Sequence, residues 1–174
     1  ISKIADLTQQ GAKYLVLDLR HCSTGDEQNG VPLANLFLNE GQIGYLQGQR
    51  VDKKSFAAKP EEQAWKGPLV LVTSRSTAGG AEIAASALLD NKRAQIVGER
   101  TYGDAGVRRV IQMDDGAAVI LSVAKYFSPA GKAIQDTGVV PAVQVADADA
   151  GPTEPDDDSV PSTLETPKPT EDLP

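Results

Sequence analysis

Residues 70–89, VLVTSRSTAGGAEIAASALL, gather the residue types best suited to chemistry. The β-branched apolar run at 69–73 predicts a parallel strand covered on both faces. Residues 76–80 are small and let another chain approach closely. From residue 81 to 89, Ile83, Ala84, Ala87 and Leu88 fall at helical spacing, with Glu82 in the first turn near the dipole's positive end. A strand–loop–helix junction collects unpaired N–H groups at one point, which suits a carbonyl, an oxyanion or a phosphate. An ordinary β–α turn has the same pattern, so this stretch alone does not choose.

Two other clusters invite chemistry. His21 lies beside Cys22, but neighbours on an extended strand point to opposite faces, which favours two unrelated side chains. Asp18 and Arg20, two apart, share one face of a strand and are expected to be partly buried. They either pair with each other or serve the loop that follows. One histidine rules out a histidine-rich metal site, and one cysteine rules out an intramolecular disulfide.

The elements that position these residues read as follows. Residues 1–10 predict a helix with Gly11 as its C-cap. Residues 14–20 predict an apolar strand ending in charge, and 21–30 a polar loop. Residues 31–38 predict a helix with Pro32 in its first turn. A short strand at 42–47 is followed by a turn at 48–54 and an irregular charged connector at 55–65. After the central strand and helix come a strand at 94–98 and a loop at 99–106. The runs 107–113 and 117–125 alternate around Asp114-Asp115-Gly116, which predicts a hairpin. A turn at 126–132 leads to a last strand at 139–145, placed at an edge by Pro141. The expected class is α/β with a mixed sheet.

The chain has 174 residues, enough for one domain with a core, and a net charge of −7. Residues 151–174 alone carry seven acids and one lysine, so the other 150 residues sum to −1. A near-neutral body excludes nucleic-acid binding through a broad basic face. The same segment holds six of the eleven prolines. It reads as a disordered acidic tail, and the expected division is a core at 1–146 and a tail at 147–174. No apolar run reaches membrane-spanning length. No signal peptide is visible, and the chain opens without Met.

Four blocks, in order, carry a resemblance: LVLDLR at 15–20, the strand and loop after Pro68, VGERTYG at 97–103, and YFSPAGKAIQ at 126–135 followed by GVVP at 138–141. Together they resemble the C-terminal processing (tail-specific) serine peptidases over residues 1–145. The resemblance implies a ClpP/crotonase-like core, a peptide or protein C-terminus as partner, and no cofactor or metal. It also implies export, to the periplasm, cell surface or chloroplast lumen. An upstream PDZ domain and first core strand are usual in that family and are not visible here.

The family's chemistry uses a Ser nucleophile, a Lys base of lowered pKa and a Gln that orients the Lys. Anchored on Glu82-Ile83, the family's nucleophile falls on Gly79. Anchored on residues 98–103, its base falls on Asp104 and its Gln on Arg108. Gly79 has no side chain, Asp104 is an anion and Arg108 is permanently charged. An ion pair between Asp104 and Arg108 is an expected replacement. The oxyanion-hole donors fall on the backbone of Gly25 and Gly80. The leading expectation is a catalytically inactive relative that binds peptides or proteins. Two alternatives stay open: a divergent serine peptidase using Ser76 or Thr77, and different acid/base chemistry through Asp104.

Overall fold

The computed structural model describes residues 2–146. The acidic segment at 147–174 lies outside the described residues. Helix α1 spans Ser2–Gln9 and ends at Gly11, whose φ of +84° is the left-handed conformation expected of a helix-ending glycine. Strand β1 (Leu15–Asp18) follows, then helix α2 (Glu27–Asn35), strands β2 (Gln42–Gly48) and β3 (Val51–Ala57), and a 3-10 turn at Pro60–Glu62. Next come strand β4 (Leu69–Thr73), helix α3 (Gly80–Asp90) and strand β5 (Gln95–Gly98). Strands β6 (Gly106–Gln112), β7 (Ala118–Phe127) and β8 (Val143–Gln144) complete the described residues.

The class is α/β, and it contains both parallel and antiparallel pairing. The two pairings are segregated into two sheets. One has the order β1-β4-β5-β8, with every pair parallel. The other has the order β3-β2-β7-β6, with every pair antiparallel. Helix α3 touches both sheets through β5 and β2, and packs on α2. It is buried on every side from Gly80 to Leu88, which explains its Ala-rich, almost uncharged sequence. Small residues also bring the helices close. A Cβ on Gly30 of α2 would stand 2.4 Å from the Gly80 carbonyl oxygen.

Several local expectations are corrected. Helix α2 starts at Glu27, four residues before the predicted start, because Asp26 caps it. The Asp26 carboxylate accepts the Gln28 N–H at 2.9 Å, and Asn29 reaches back to the Asp26 N–H. Pro32 therefore lies inside the helix and not in its first turn. Residues 51–57 form the edge strand β3 where a turn and connector were expected. It exposes the successive charged residues Asp52, Lys53 and Lys54, on both of its faces, which masks the strand signal and guards the edge. The last strand contracts to Val143–Gln144, at the edge that Pro141 indicated. Strand β4 buries one face fully, whereas Val70 and Val72 on the other are only half-buried. The hairpin is as expected. Gly116 turns at φ +85° while Met113 N–H donates to Ala117 O at 2.8 Å. No helix among the described residues is long and apolar enough to cross a membrane.

Candidate functional site

The loop between β4 and α3 is stitched to the end of β1. The buried Thr77 hydroxyl donates to Leu19 O at 2.9 Å and accepts the Ser74 N–H at 3.0 Å. The Ser74 hydroxyl donates to Arg20 O at 2.8 Å and accepts the Ser76 N–H. Ala78 N–H donates to Cys22 O at 2.8 Å. Thr77 is thus fully committed to backbone, whereas the Ser76 side chain is exposed. Asp18 and Arg20 do pair, with Arg20 Nη2 2.8 Å from Asp18 Oδ2, and Arg20 holds the Asp18 carboxyl below its ordinary value. Asp18 is exposed, contrary to expectation, because β1 is an edge strand of its sheet. His21 and Cys22 are both exposed.

Gly79 sits where the loop enters α3, at φ +63° and ψ −125°. Only glycine adopts such a backbone at low cost. A Cβ there would stand 2.4 Å from the Gly25 carbonyl oxygen. That carbonyl accepts the Gly80 N–H at 3.0 Å. The space beside Gly79, and the Gly80 donor, are therefore occupied by the 22–26 loop in this conformation. Gly25 presents its C=O to Gly80.

The residue that assembles the site is Glu82, which sequence reasoning assigned only a dipole role. Its side chain is fully buried. Oε2 accepts the Gly79 N–H at 3.2 Å and the Asp104 N–H at 2.8 Å. Oε1 accepts the Gly103 N–H at 2.7 Å and the Thr101 hydroxyl. One carboxylate thus holds the entry of α3 and the 101–104 loop together. Burial pushes the Glu82 carboxyl up from its ordinary value, against the opposing effect of these four donors. A Glu three residues after a helix-capping position was the available signal.

Asp104 and Arg108 form a two-pronged ion pair, with Nη2 2.5 Å from Oδ1 and Nη1 3.3 Å from Oδ2. The carboxylate raises the affinity of the guanidinium for its proton. A register shift between Val107 and Arg108 marks a bulge at the start of β6, a device that re-aims a side chain. Nearby, Gln135 Oε1 is buried without a partner, and a Cβ on Gly106 would stand 2.8 Å from it. Gln135 closes the 126–135 block that carries the resemblance, but nothing in the sequence assigned it a role of its own. The positions 25, 79, 80, 104 and 108 converge through Gly25 O, the Glu82 carboxylate and the Asp104–Arg108 pair. Among the described residues, no group of three or more His, Cys, Asp or Glu side chains is arranged to hold a metal ion.

The model of peptidase family S41 matches residues 1–145. The chain belongs to that family. A carboxyl-terminal-processing protease of Synechocystis is 38% identical over 135 residues, covering 78% of this chain and 31% of its own length. Carboxyl-terminal-processing peptidase 1, chloroplastic, of Arabidopsis thaliana is 36% identical over 136 residues, covering 78% of this chain and 28% of its own. The solved photosystem II D1 C-terminal processing protease superimposes with a TM-score of 0.73 at 34% identity, over 83% of this chain and 38% of that one. The chain therefore spans less than a third of the length of these two curated relatives.

Proposed function

We propose that this peptidase-family domain is non-catalytic and holds an extended peptide, or the C-terminus of a protein, without cutting it. The observation that carries the reading is the state of positions 79, 104 and 108. Serine–lysine chemistry needs a hydroxyl, a neutral amine within reach of it, and free oxyanion donors. Gly79 supplies no hydroxyl, and its Cβ space is filled by Gly25 O. Asp104 and Arg108 are engaged with each other, so neither is a free base. Peptide capture by strand addition needs a sheet edge and side-chain pockets, and none of these three groups. We also propose that the natural protein is exported and carries an upstream peptide-binding domain, as the family resemblance implies.

The test is cleavage and retention of an unstructured peptide by the purified protein. The expected result is a peptide retained intact and no labelling by a serine-directed phosphonate. Cleavage that Ser76→Ala abolishes would overturn the reading in favour of a relocated nucleophile. Turnover that Asp104→Asn abolishes would overturn it in favour of other acid/base chemistry. A variant carrying Gly79→Ser, Asp104→Lys and Arg108→Gln is expected to stay inactive until the 22–26 loop moves.

A further inference from the structure

A half-open cavity of about 170 Å3 lies at the opposite end of α3 from Gly79, walled on one side by residues of the 128–140 segment. Its walls begin at Ser86, seven residues beyond Gly79, and reach Asp90. At 1.5 Å of helix rise per residue that is roughly 10 to 16 Å away. Leu89, Ile134 and Val139 make its apolar wall. Ser128, only 4% exposed, lines the cavity and its Oγ has no hydrogen-bond partner. A buried hydroxyl without a partner costs free energy unless something outside the chain satisfies it.

Two opposite charges border the same cavity without neutralising each other. Asp90 Oδ2 accepts the Ala130 N–H at 2.9 Å, and the carboxylate is half-buried. The backbone of Lys132 is fixed by the bond from Ser128 N–H to Lys132 O at 2.9 Å, and its side chain is exposed at the cavity rim. Neither Asp90 nor Lys132 forms an ion pair among the described residues.

We propose that this cavity binds a free aliphatic α-amino acid as its zwitterion. The ammonium faces Asp90, the carboxylate faces Lys132 and the Ser128 hydroxyl, and the branched side chain packs on Leu89, Ile134 and Val139. A simple carboxylate would leave Asp90 uncompensated beside it, and a simple amine would do the same to Lys132. An apolar cavity of about 150 Å3 accepts a benzene-sized guest, so the space suits valine or leucine and not tryptophan.

The test is calorimetric titration of the purified chain with L-leucine and L-valine, beside isovalerate, 3-methylbutylamine, Leu-Gly, Ala-Leu and L-tryptophan. The expected result is saturable binding of leucine or valine, at least tenfold weaker for each of the others. Asp90→Asn keeps the Ala130 bond, and Lys132→Met keeps the turn. Each is expected to weaken leucine binding at least tenfold without changing the melting temperature of the ligand-free protein. Ser128→Ala is expected to weaken binding while leaving the ligand-free protein as stable or more so. Absence of saturable binding up to millimolar leucine overturns the proposal. So does isovalerate or a dipeptide binding as tightly as leucine, or unchanged affinity in the Asp90 and Lys132 variants. Peptide cleavage plays no part in this readout, so the proposal stands or falls apart from the reading of Gly79.

Discussion

Gly79 and Glu82 set the conformation of the site between them. At Gly79 a left-handed backbone and a carbonyl 2.4 Å from the absent Cβ act together. Gly79→Ala is therefore expected to lower unfolding free energy by about 2–3 kcal/mol, read from the urea midpoint. Glu82 satisfies four donors, three of them in fully buried bonds. Glu82→Gln turns an amide NH2 towards N–H groups, and a loss of about 3 kcal/mol is expected. The same residue has a pH signature. Its folded-state carboxyl is raised above the ordinary 4.5, so the folded state binds the proton more tightly than the unfolded chain. That contribution is fully present below 4.5 and is lost as pH rises through the raised value. Asp18, lowered by Arg20, has the opposite sign: its contribution is present above 3.8 and is lost as pH falls. Denaturation midpoints across acidic pH are expected to keep the Asp18 slope in Glu82→Gln and to lose the opposing one.

At the scale of elements, helix α2 depends on the Asp26 cap more than on composition, since it contains both Gly30 and Pro32. Asp26→Ala is expected to cost about 1 kcal/mol in thermal unfolding, and Asp26→Asn little. This helix also shows what the sequence conceals. Pro32 is a strong punctuation mark and drew the predicted start to itself, whereas the Asp26–Asn29 box, three residues apart, is a weaker mark that won. The central strand and helix were legible because apolar period and length agree there. The hairpin was legible because Asp-Asp-Gly admits few other turns. Strand β3 was hidden because an edge strand has only one partner and shows its charges to water. At the site, the Asp104–Arg108 pair was legible from its four-residue spacing, but the other contacts were not. Only folding shows that Gly25 offers a carbonyl to Gly80, or that the Glu82 carboxylate gathers donors from both α3 and the 101–104 loop.

At the scale of the molecule, one mostly aliphatic core, with Phe37, Trp65 and Tyr126 in it, joins the two sheets around α3, while two regions stay apolar and open. The β6–β7 ribbon exposes Val110 at 65% and Ile120 at 66%, a cross-strand pair on one face. Because those side chains are not buried, Val110→Lys is expected to shift stability by less than about 0.5 kcal/mol, in contrast to Gly79→Ala. The chemical-denaturation midpoint checks both in one experiment. The outer face of β1, β4 and β8 is open as well, at Val16 and Val143.

The carbonyl lodged beside Gly79 makes mutational order matter. A side chain entering at 79 meets the 24–25 backbone before it can do anything useful. The same change arriving after the loop has withdrawn meets no such obstacle. Position 79 and the 22–26 loop are thus epistatic, and a step through this site behaves as a ratchet: easy while the loop is open, and barred once its carbonyl has settled.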